Sequence, residues 1–531
     1  MPEYLSPGVY VEEFEIGAKP IEGVSTSTAG FLGATLRGPL RPRFITGFEE
    51  FKRIYGGYLA DSFLAYAVDG FFSNGGQRCW VGRVSGDLPD GVDGVATSRH
   101  DGKVTFNAIG PGTWGNRVAV KIEAGSLQLE TQPEPWDKVK LTVMYWDVAP
   151  PTPLVDPTKP EFATDPNRRE PTLLEVYDNL SANPSSIDFW ETRINKSSNL
   201  ITVDYDPGET ENPVAVALTL LADLDEPGDA GVDGAALGVT NYTSSPDVTM
   251  PDGTIYRTGL RGFEQIDDIS IVVVPNHHDL GVPLTDQIVT HCTQMADRFA
   301  VLHANAGAPI DNDLRPPHDT TYAAFYYPWI KIYDPRTNRD MRIPPSGHVA
   351  GIYAKTDVER GVHKAPANVV VQGITGLEIQ ITKRNQDLLN PKGVNCIRAF
   401  PGRGIRVWGA RTSSSNSLWK YINVRRLFLF LEESIDEGTQ WVVFEPNNER
   451  LWARVRQTIT QFLTTVWRDG ALMGLTPEEA FFVKCDRTTM TQDDIDNGRL
   501  ICIIGVAPVK PAEFVIFRIT QFAGGSEVAE V

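Results

Sequence analysis

Asp268-Ile269-Ser270-Ile271-Val272-Val273-Val274-Pro275 is a continuous apolar run that ends in a breaker. An alternating strand would leave one face polar. This run leaves neither face polar, which fits a strand buried on both sides in a parallel sheet. A helix is expected over Thr285 to Arg298, then a strand over Phe299 to His303. Strand, helix, strand in that order is the βαβ rhythm of an α/β core. A further strand-like run covers Ala323 to Tyr333.

Working outward from this block, residues 30–84 also read as α/β. A strand is expected near Gly30 to Thr35, helices over Phe48 to Tyr55 and Ser62 to Asn74, and a strand over Cys79 to Val84. Between the two α/β blocks the texture changes. From 87 to 255 Asp, Pro and Gly are dense and strands are short, as in Lys138 to Trp146 and Asn199 to Tyr205; segment 149–171 alone holds seven prolines. This stretch reads as an inserted β-rich domain with long loops. Toward the C-terminus, helices are expected over Asn423 to Ile435 and Glu449 to Arg468. Asn448 caps the second, and Leu451, Val455, Ile459, Phe462 and Val466 form one apolar stripe on it. Trp441 to Phe444 and Leu500 to Ile504 read as strands.

Both ends of the chain are unusual. Residues 1–24 read as an extended arm, with β-formers Val9, Tyr10 and Val11 between the breakers Pro7-Gly8 and Gly17. After Pro508 and Pro511 comes Glu513-Phe514-Val515-Ile516-Phe517-Arg518-Ile519-Thr520-Gln521-Phe522, a β-strand apolar on nearly both faces. Chain ends are usually polar and frayed. A free strand of this kind is an aggregation hazard, so it is expected to enter a sheet, in its own subunit or in a neighbour.

At 531 residues the chain exceeds one hydrophobic core, and about two to four domains are expected. Hydrophobic residues make up 41% and charged residues 22%, ordinary globular values. Lys+Arg 49 against Asp+Glu 68 gives a net charge of −19, which repels phosphate backbones and disfavours a nucleic-acid partner. The five cysteines (Cys79, Cys292, Cys396, Cys485, Cys502) are scattered and form no CxxC, as expected of buried reduced thiols. The opening Met1 to Pro7 offers no basic n-region or apolar h-region, and no apolar run approaches the ~20 residues that span a bilayer. The chain is therefore expected to start life in a cytoplasm, without direct membrane insertion, and to reach the outside only through lysis or assembly.

No catalytic signature holds up. GxxxxGK[ST], HExxH and GxSxG are all absent from the sequence. His277-His278-Asp279 follows the Val272–Pro275 run, where α/β proteins place ligands, but no third metal ligand is evident. Gly110 to Arg117 reads as a turn between strands. Asp493 to Gly498 lacks the calcium-loop register and reads as a turn with capping carboxylates. Ser413-Ser414-Ser415 reads as a polar loop. No catalytic, cofactor-binding or metal residue is assigned, and the chain is not expected to be an enzyme.

Several long runs resemble the contractile tail sheath family of phages, R-type bacteriocins and extracellular contractile injection systems. They stand as YAAFYYPWIKIYDP (Tyr322–Pro335), IPPSGHVAGIYAKTDVERGVHKAPAN (Ile343–Asn368), NCIRAFPGRGIRVWGART (Asn395–Thr412), YINVRRLFLFLEESIDEGTQWVVFEPNNERLW (Tyr421–Trp452) and FFVKCDRTTMTQDDIDNGRLICIIGVAPVKPAEFVIFRI (Phe481–Ile519). YLSPGVYVEE (Tyr4–Glu13) and GGQRCWVGRV (Gly75–Val84) also fit, while 87–255 carries little resemblance.

The resemblance implies a multidomain α/β plus α+β chain with a subtilisin-like α/β core. The divisions would be an N-terminal exchange arm (1–24), a first α/β core segment (25–86), an inserted outer β-rich domain (87–255), a second α/β core segment (256–400), a C-terminal α+β inner-wall domain (401–512) and a C-terminal exchange strand (513–531). It implies a sheath subunit that polymerises helically around an inner tube and contracts, with other copies, the tube protein, and baseplate and terminal cap proteins as partners. Its place would be the bacterial cytoplasm during assembly, then a phage tail or phage-tail-like particle. Val9, Tyr10, Val11, Phe514, Val515, Ile516, Phe517 and Ile519 would be the inter-subunit arm contacts. The basic helix would meet the tube through Arg450, Arg454, Arg456 and Arg468. A hydrolase with a subtilisin-like core, or a passive tube or capsid protein, are the alternatives.

Overall fold

The computed structural model describes residues 20–89, 93–128, 136–206, 208–223, 226–227, 230–244, 247–249 and 253–519. Its centre is a nine-stranded sheet that contains the run Ile271–Val273. From one edge to the other the strands are Val369–Val370, Gly404–Val407, Val394–Phe400, Ala323–Tyr327, Phe299–His303, Ile271–Val273, Ala29–Gly33, Cys79–Arg83 and Arg43–Ile45. The six from Val394–Phe400 to Cys79–Arg83 are mutually parallel, and both edges are antiparallel. Ala29 is in register with both Ile271 and Cys79, so the two sequence-distant α/β blocks form one sheet.

The apolar run is explained by burial on both faces. Ile271 and Val273 point into one core with Phe31, Val81, Phe299 and Val301. Val272 and Val274 point into the other with Leu32, Ala300, Leu302 and Phe325. Helices Phe48–Tyr55, Leu64–Ser73 and Ser346–Arg360 supply the first core. Gly259–Phe263, Val282–Met295 and Lys383–Leu389 supply the second.

Helices Leu64–Ser73 and Ser346–Arg360 meet backbone to backbone. A Cβ at Gly347 would stand 2.3 Å from the Ala67 carbonyl oxygen, and one at Gly351 2.4 Å from that of Phe71. In an interior packed at crystal density, such a contact has no room to absorb a methyl group.

Between the core blocks lie two four-stranded antiparallel sheets. One is ordered Val216–Leu220, Val118–Ala124, Val139–Tyr145, Leu173–Leu180. The other is ordered Glu226–Pro227, Thr97–His100, Val104–Ala108, Ile201–Tyr205. They share one core around the buried Trp114 and Trp190. The Trp190 Nε1–H donates to Asn212 at 2.9 Å and the Trp114 Nε1–H to the Pro111 carbonyl at 3.0 Å, so neither indole leaves a polar atom unpaired.

Three strand expectations change. Ala323 to Tyr333 is two strands in two sheets, Ala323–Tyr327 in the central one and Ile330–Asp334 beside Arg339–Ile343; the break falls at Pro328, which has no amide to donate. Trp441 to Phe444 begins as the short helix Gln440–Val442 and ends with Phe444 at φ 67, a left-handed backbone that no strand carries. The strand expected over Leu500 to Ile504 forms at Ile503–Val506 and is not buried.

The implied subtilisin-like core also needs correction. Three imidazoles, His277, His278 and His303, cluster near Trp329 at the carboxyl ends of the central strands. Among the described residues no serine hydroxyl bonds any of the three. The architecture that remains is multidomain, α/β with β-rich layers.

Alanine at Gly347 or Gly351 should lower unfolding stability by about 1–3 kcal/mol, the usual cost of overpacking, read from the urea midpoint at unchanged slope. Gly57→Ala, where nothing lies within 4 Å of the added carbon, should leave the midpoint unchanged.

Candidate assembly site

The chain divides into two compact units. One is Gly23–Val362 with Pro366–Asp436, and the second takes in the segment before Gly23, His363–Ala365 and the chain from Glu437 onward. The second unit is organised by helix Glu449–Arg468. Asn448 caps it, its side chain accepting from the Leu451 amide at 3.1 Å, and Leu451, Val455, Ile459, Phe462 and Val466 are buried along one side. Strands Phe481–Lys484 and Ile503–Val506 form a two-stranded antiparallel sheet, with Phe481–Lys484 lying against that helix. Two strands alone are marginal in water and leave hydrogen-bonding edges open. Phe482 (51% exposed) and Ile503 face solvent on this sheet, and Ile501 is exposed just before it.

Beyond it, Phe514, Val515, Ile516, Phe517 (83% exposed) and Ile519 (93% exposed) run without regular structure. Among the described residues this segment pairs with no strand. Val9, Tyr10 and Val11 lie outside the described residues, as does Phe522.

The four arginines of the helix are all exposed, yet they are not equivalent. At 3.6 residues per turn, Arg450 and Arg468 lie about five turns apart on one line, with Arg454, Gln457, Gln461 and Thr465 beside them. Arg454 stacks over Trp441 at 4.5 Å. Among the described residues Arg450 and Arg468 make no ion pair or side-chain hydrogen bond. Arg456 points elsewhere and donates to the Cys485 carbonyl at 3.2 Å. The structure thus brings Arg450, Arg454 and Arg468 onto one stripe and removes Arg456 from it.

Sequence reasoning missed a buried junction in the first unit. Arg426 in helix Ile422–Thr439 grips Asp357 in helix Ser346–Arg360 through two parallel bonds, 2.7 and 3.0 Å, with both side chains 3% exposed. Thr26, where the N-terminal segment joins the core, donates its hydroxyl to Asp357 at 2.8 Å, and its carbonyl accepts from Arg426 at 2.7 Å. Arg426 also lies over the Tyr353 ring at 4.9 Å, and the Tyr353 and Tyr326 hydroxyls are 2.7 Å apart. Nearby, the Val24 amide donates to Ser434 at 3.1 Å, and a Cβ on Gly23 would stand 2.8 Å from Phe430. The sequence signal is Arg425-Arg426 inside an otherwise apolar helix face, since such charges stay buried only when paired.

The His277-His278 pair is joined by a third imidazole. His277 Nε2 and His303 Nδ1 are 3.1 Å apart, His303 Nε2 and His278 Nδ1 3.4 Å, and Thr285 Oγ1 lies 3.4 Å from His277 Nδ1. Burial, then the neighbouring His278, pushes His277 down to about 3. Burial, then His277 and His278, holds His303 well below the ordinary histidine value. Burial alone lowers His348 to about 4, and burial with Arg298 lowers His291 to about 3. Neutral imidazoles among aromatic rings are packing groups at neutral pH. Among the described residues no cluster of three or more His, Cys, Asp or Glu could hold a metal ion. Ser414 and Ser415 bond Asp319, and Thr491 with Asp494 forms a helix-capping box.

Comparison with known proteins points one way. The family model described as the phage tail sheath protein central domain matches residues 253–413, and the phage tail sheath C-terminal domain matches 414–522; together they take in just over half of the chain. The tail sheath protein of Vibrio phage KVP40 is 27% identical over 216 residues, 40% of this chain and 31% of that protein. The tail sheath protein of Escherichia phage P2 is 30% identical over 198 residues, 36% of this chain and 48% of that one. The alignments thus span about a third to a half of the curated relatives' own length.

Among solved structures, the helical sheath of the anti-feeding prophage in its contracted state superposes with a TM-score of 0.56 at 23% identity, over 97% of this chain and 99% of that one. The contracted sheath complex of the extracellular contractile injection system PVC gives 0.55 at 22%, over 98% and 99%. These are sheath folds and not protease folds, which overturns the subtilisin-like core.

Two outcomes follow from the buried groups. Arg426→Met should cost about 3–5 kcal/mol in a urea melt by stranding Asp357, and adding Asp357→Leu should recover most of it. The histidines give a pH dependence. Their folded pKa values lie below the unfolded one, so the unfolded chain binds more protons once pH falls below about 6.5. Stability then drops by about 1.4 kcal/mol per pH unit for each such histidine, down toward pH 3–4. The urea midpoint should therefore fall between pH 7 and pH 5, and His348→Gln should lose less across that interval than the unaltered chain.

Proposed function

This chain belongs to the contractile tail sheath family, and from that premise we propose that it is a structural subunit, without enzymatic activity. In this reading it polymerises helically around an inner tube in a metastable extended state and contracts to drive that tube through a target envelope. The observation that carries the reading is the exposed segment Phe514–Ile519 in a chain whose second unit also holds a two-stranded sheet with open edges. A solvent-exposed row of Phe, Val, Ile, Phe and Ile is stable in solution only when something covers it. Strand addition to the sheet of an adjacent copy supplies the missing backbone partners and the apolar cover at once. Each backbone bond contributes about 0.5–1.5 kcal/mol, and each buried Phe or Ile about 1.5–3 kcal/mol. One arm therefore holds a neighbour by several kcal/mol, and it keeps copies joined while their rigid cores rotate. Val9–Val11 serves the opposite arm.

The stripe of Arg450, Arg454 and Arg468 suits an acidic tube wall, and Arg456, engaged inside its own unit, stands apart from that contact. Partners are other copies, the tube protein, and baseplate and terminal cap proteins. Assembly takes place in the bacterial cytoplasm, and release follows lysis as a phage tail or tail-like particle. A charge of −19 argues against nucleic acid, and no described helix is long and apolar enough to cross a membrane.

Removal of 513–531 tests the reading. The full chain should form hollow cylinders in negative stain, while the truncated chain should remain as subunits with an unchanged thermal unfolding midpoint. Cylinders formed equally well by the truncated chain would sink the strand-addition mechanism.

A further inference from the structure

Where the edge strand Arg43–Ile45 of the central sheet meets the β-rich insertion, the first unit holds a pocket of about 330 Å3. Its wall includes Arg41, Arg43, Arg53, Phe44, Trp80 and Tyr256, with Glu50 at one side. Three guanidinium groups face one carboxylate in a chain that is otherwise strongly acidic. That carboxylate is engaged: one Glu50 oxygen accepts from both the amide and the hydroxyl of Thr46 at 2.8 Å, and the other lies 3.8 Å from Arg53. Arg41 rests over the Tyr256 ring at 5.1 Å, and neither Arg41 nor Arg43 makes an ion pair or side-chain hydrogen bond among the described residues. Trp80 packs edge-on against Phe44 at 5.4 Å, and its Nε1–H is buried with no acceptor among the described residues. Burial, then the like charge of Arg41, presses the Arg43 pKa down.

Buried donors are almost always paired. Here two guanidinium groups without a protein partner line one small cavity beside the Trp80 ring, and both lack the same thing, an oxygen acceptor carrying negative charge. Guanidinium groups bind carboxylate and phosphate oxygens through parallel bonds, and aromatic walls suit an apolar carbon beside such a group. A volume of this size admits a small ligand or one or two side chains.

We propose that this pocket is a binding site for an oxyanion, a carboxylate or phosphate group, held by Arg41 and Arg43 beside the Trp80 ring. Its source is either a free small anion or an acidic side chain of an adjoining copy. The second source rests on the sheath reading above and the first does not.

Both sources are tested on the full chain. Inorganic phosphate, and separately glutarate, is titrated calorimetrically into unassembled protein in chloride buffer at constant ionic strength. Saturable binding that weakens at least about tenfold in Arg43→Gln, and likewise in Arg41→Gln, supports a free-anion site. Failure of both anions to bind, together with a severalfold higher protein concentration needed for polymerisation in these variants at unchanged thermal midpoint, supports an acidic side chain of a neighbour. Equal anion binding and equal polymerisation in the unaltered chain and the variants overturns the proposal. Should the unaltered chain not polymerise at all, the sheath reading fails, and the calorimetric arm alone still decides the site.

Discussion

The bidentate bond between Asp357 and Arg426 is the junction on which the first unit depends. Three segments distant in sequence meet there: the stretch around Thr26, helix Ser346–Arg360 and helix Ile422–Thr439. A buried ion pair contributes little net stability on its own, because desolvating two charges offsets most of their attraction. Its value lies in selectivity. An apolar contact between these segments would tolerate sliding by a fraction of a turn, whereas two parallel bonds plus the Thr26 contacts are satisfied in one register. The cation over Tyr353 and the Tyr353–Tyr326 hydroxyl bond extend that register into the sheet, since Tyr326 belongs to a central strand.

Around this junction the first unit is closely packed, while Phe514–Ile519 near the end of the chain is exposed. Strands covered on both faces and helices in backbone contact through Gly347 and Gly351 leave little freedom to deform. Phe514–Ile519 has the opposite character, with an apolar surface that finds no partner within the described chain. A body that must rotate without deforming while staying bonded to its neighbours requires this combination. In the proposed assembly, rigidity would keep lattice contacts in place and extended arms would absorb the displacement.

Much of the architecture is legible where local physics decides it. Asp268 to Pro275 announces a doubly covered parallel strand, and the stripe Leu451 to Val466 with Asn448 before it locates a helix whose observed bounds are Glu449–Arg468. Legibility fails where tertiary context overrides local preference. Trp441 to Phe444 has the composition of a strand, but a strand exists only with a partner, and here the chain turns through a left-handed Phe444. Leu500 to Ile504 reads as buried because it is apolar, yet it borders an open sheet, so its apolar character marks a surface and not a core. The Asp357–Arg426 junction cannot be paired from sequence because 69 residues separate its members. The four arginines look equivalent along the chain, and only the placement of Cys485 shows that Arg456 is engaged within its own unit.

The junction also bears on how load would pass through a polymer of such subunits. If adjacent copies hold both arms, tension from the N-terminal side reaches the core at Thr26. Tension from the C-terminal side reaches it through helix Ile422–Thr439, because that helix leads by chain continuity into the second unit. Both routes meet at the same carboxylate, through Thr26 on one side and Arg426 on the other. Charge-assisted bonds are short and directional, and they lose most of their energy over a small displacement, so the junction resists slippage until it gives way as a unit. A core joined in this way would move between lattice states as a whole, which is what a contracting assembly requires of each of its copies.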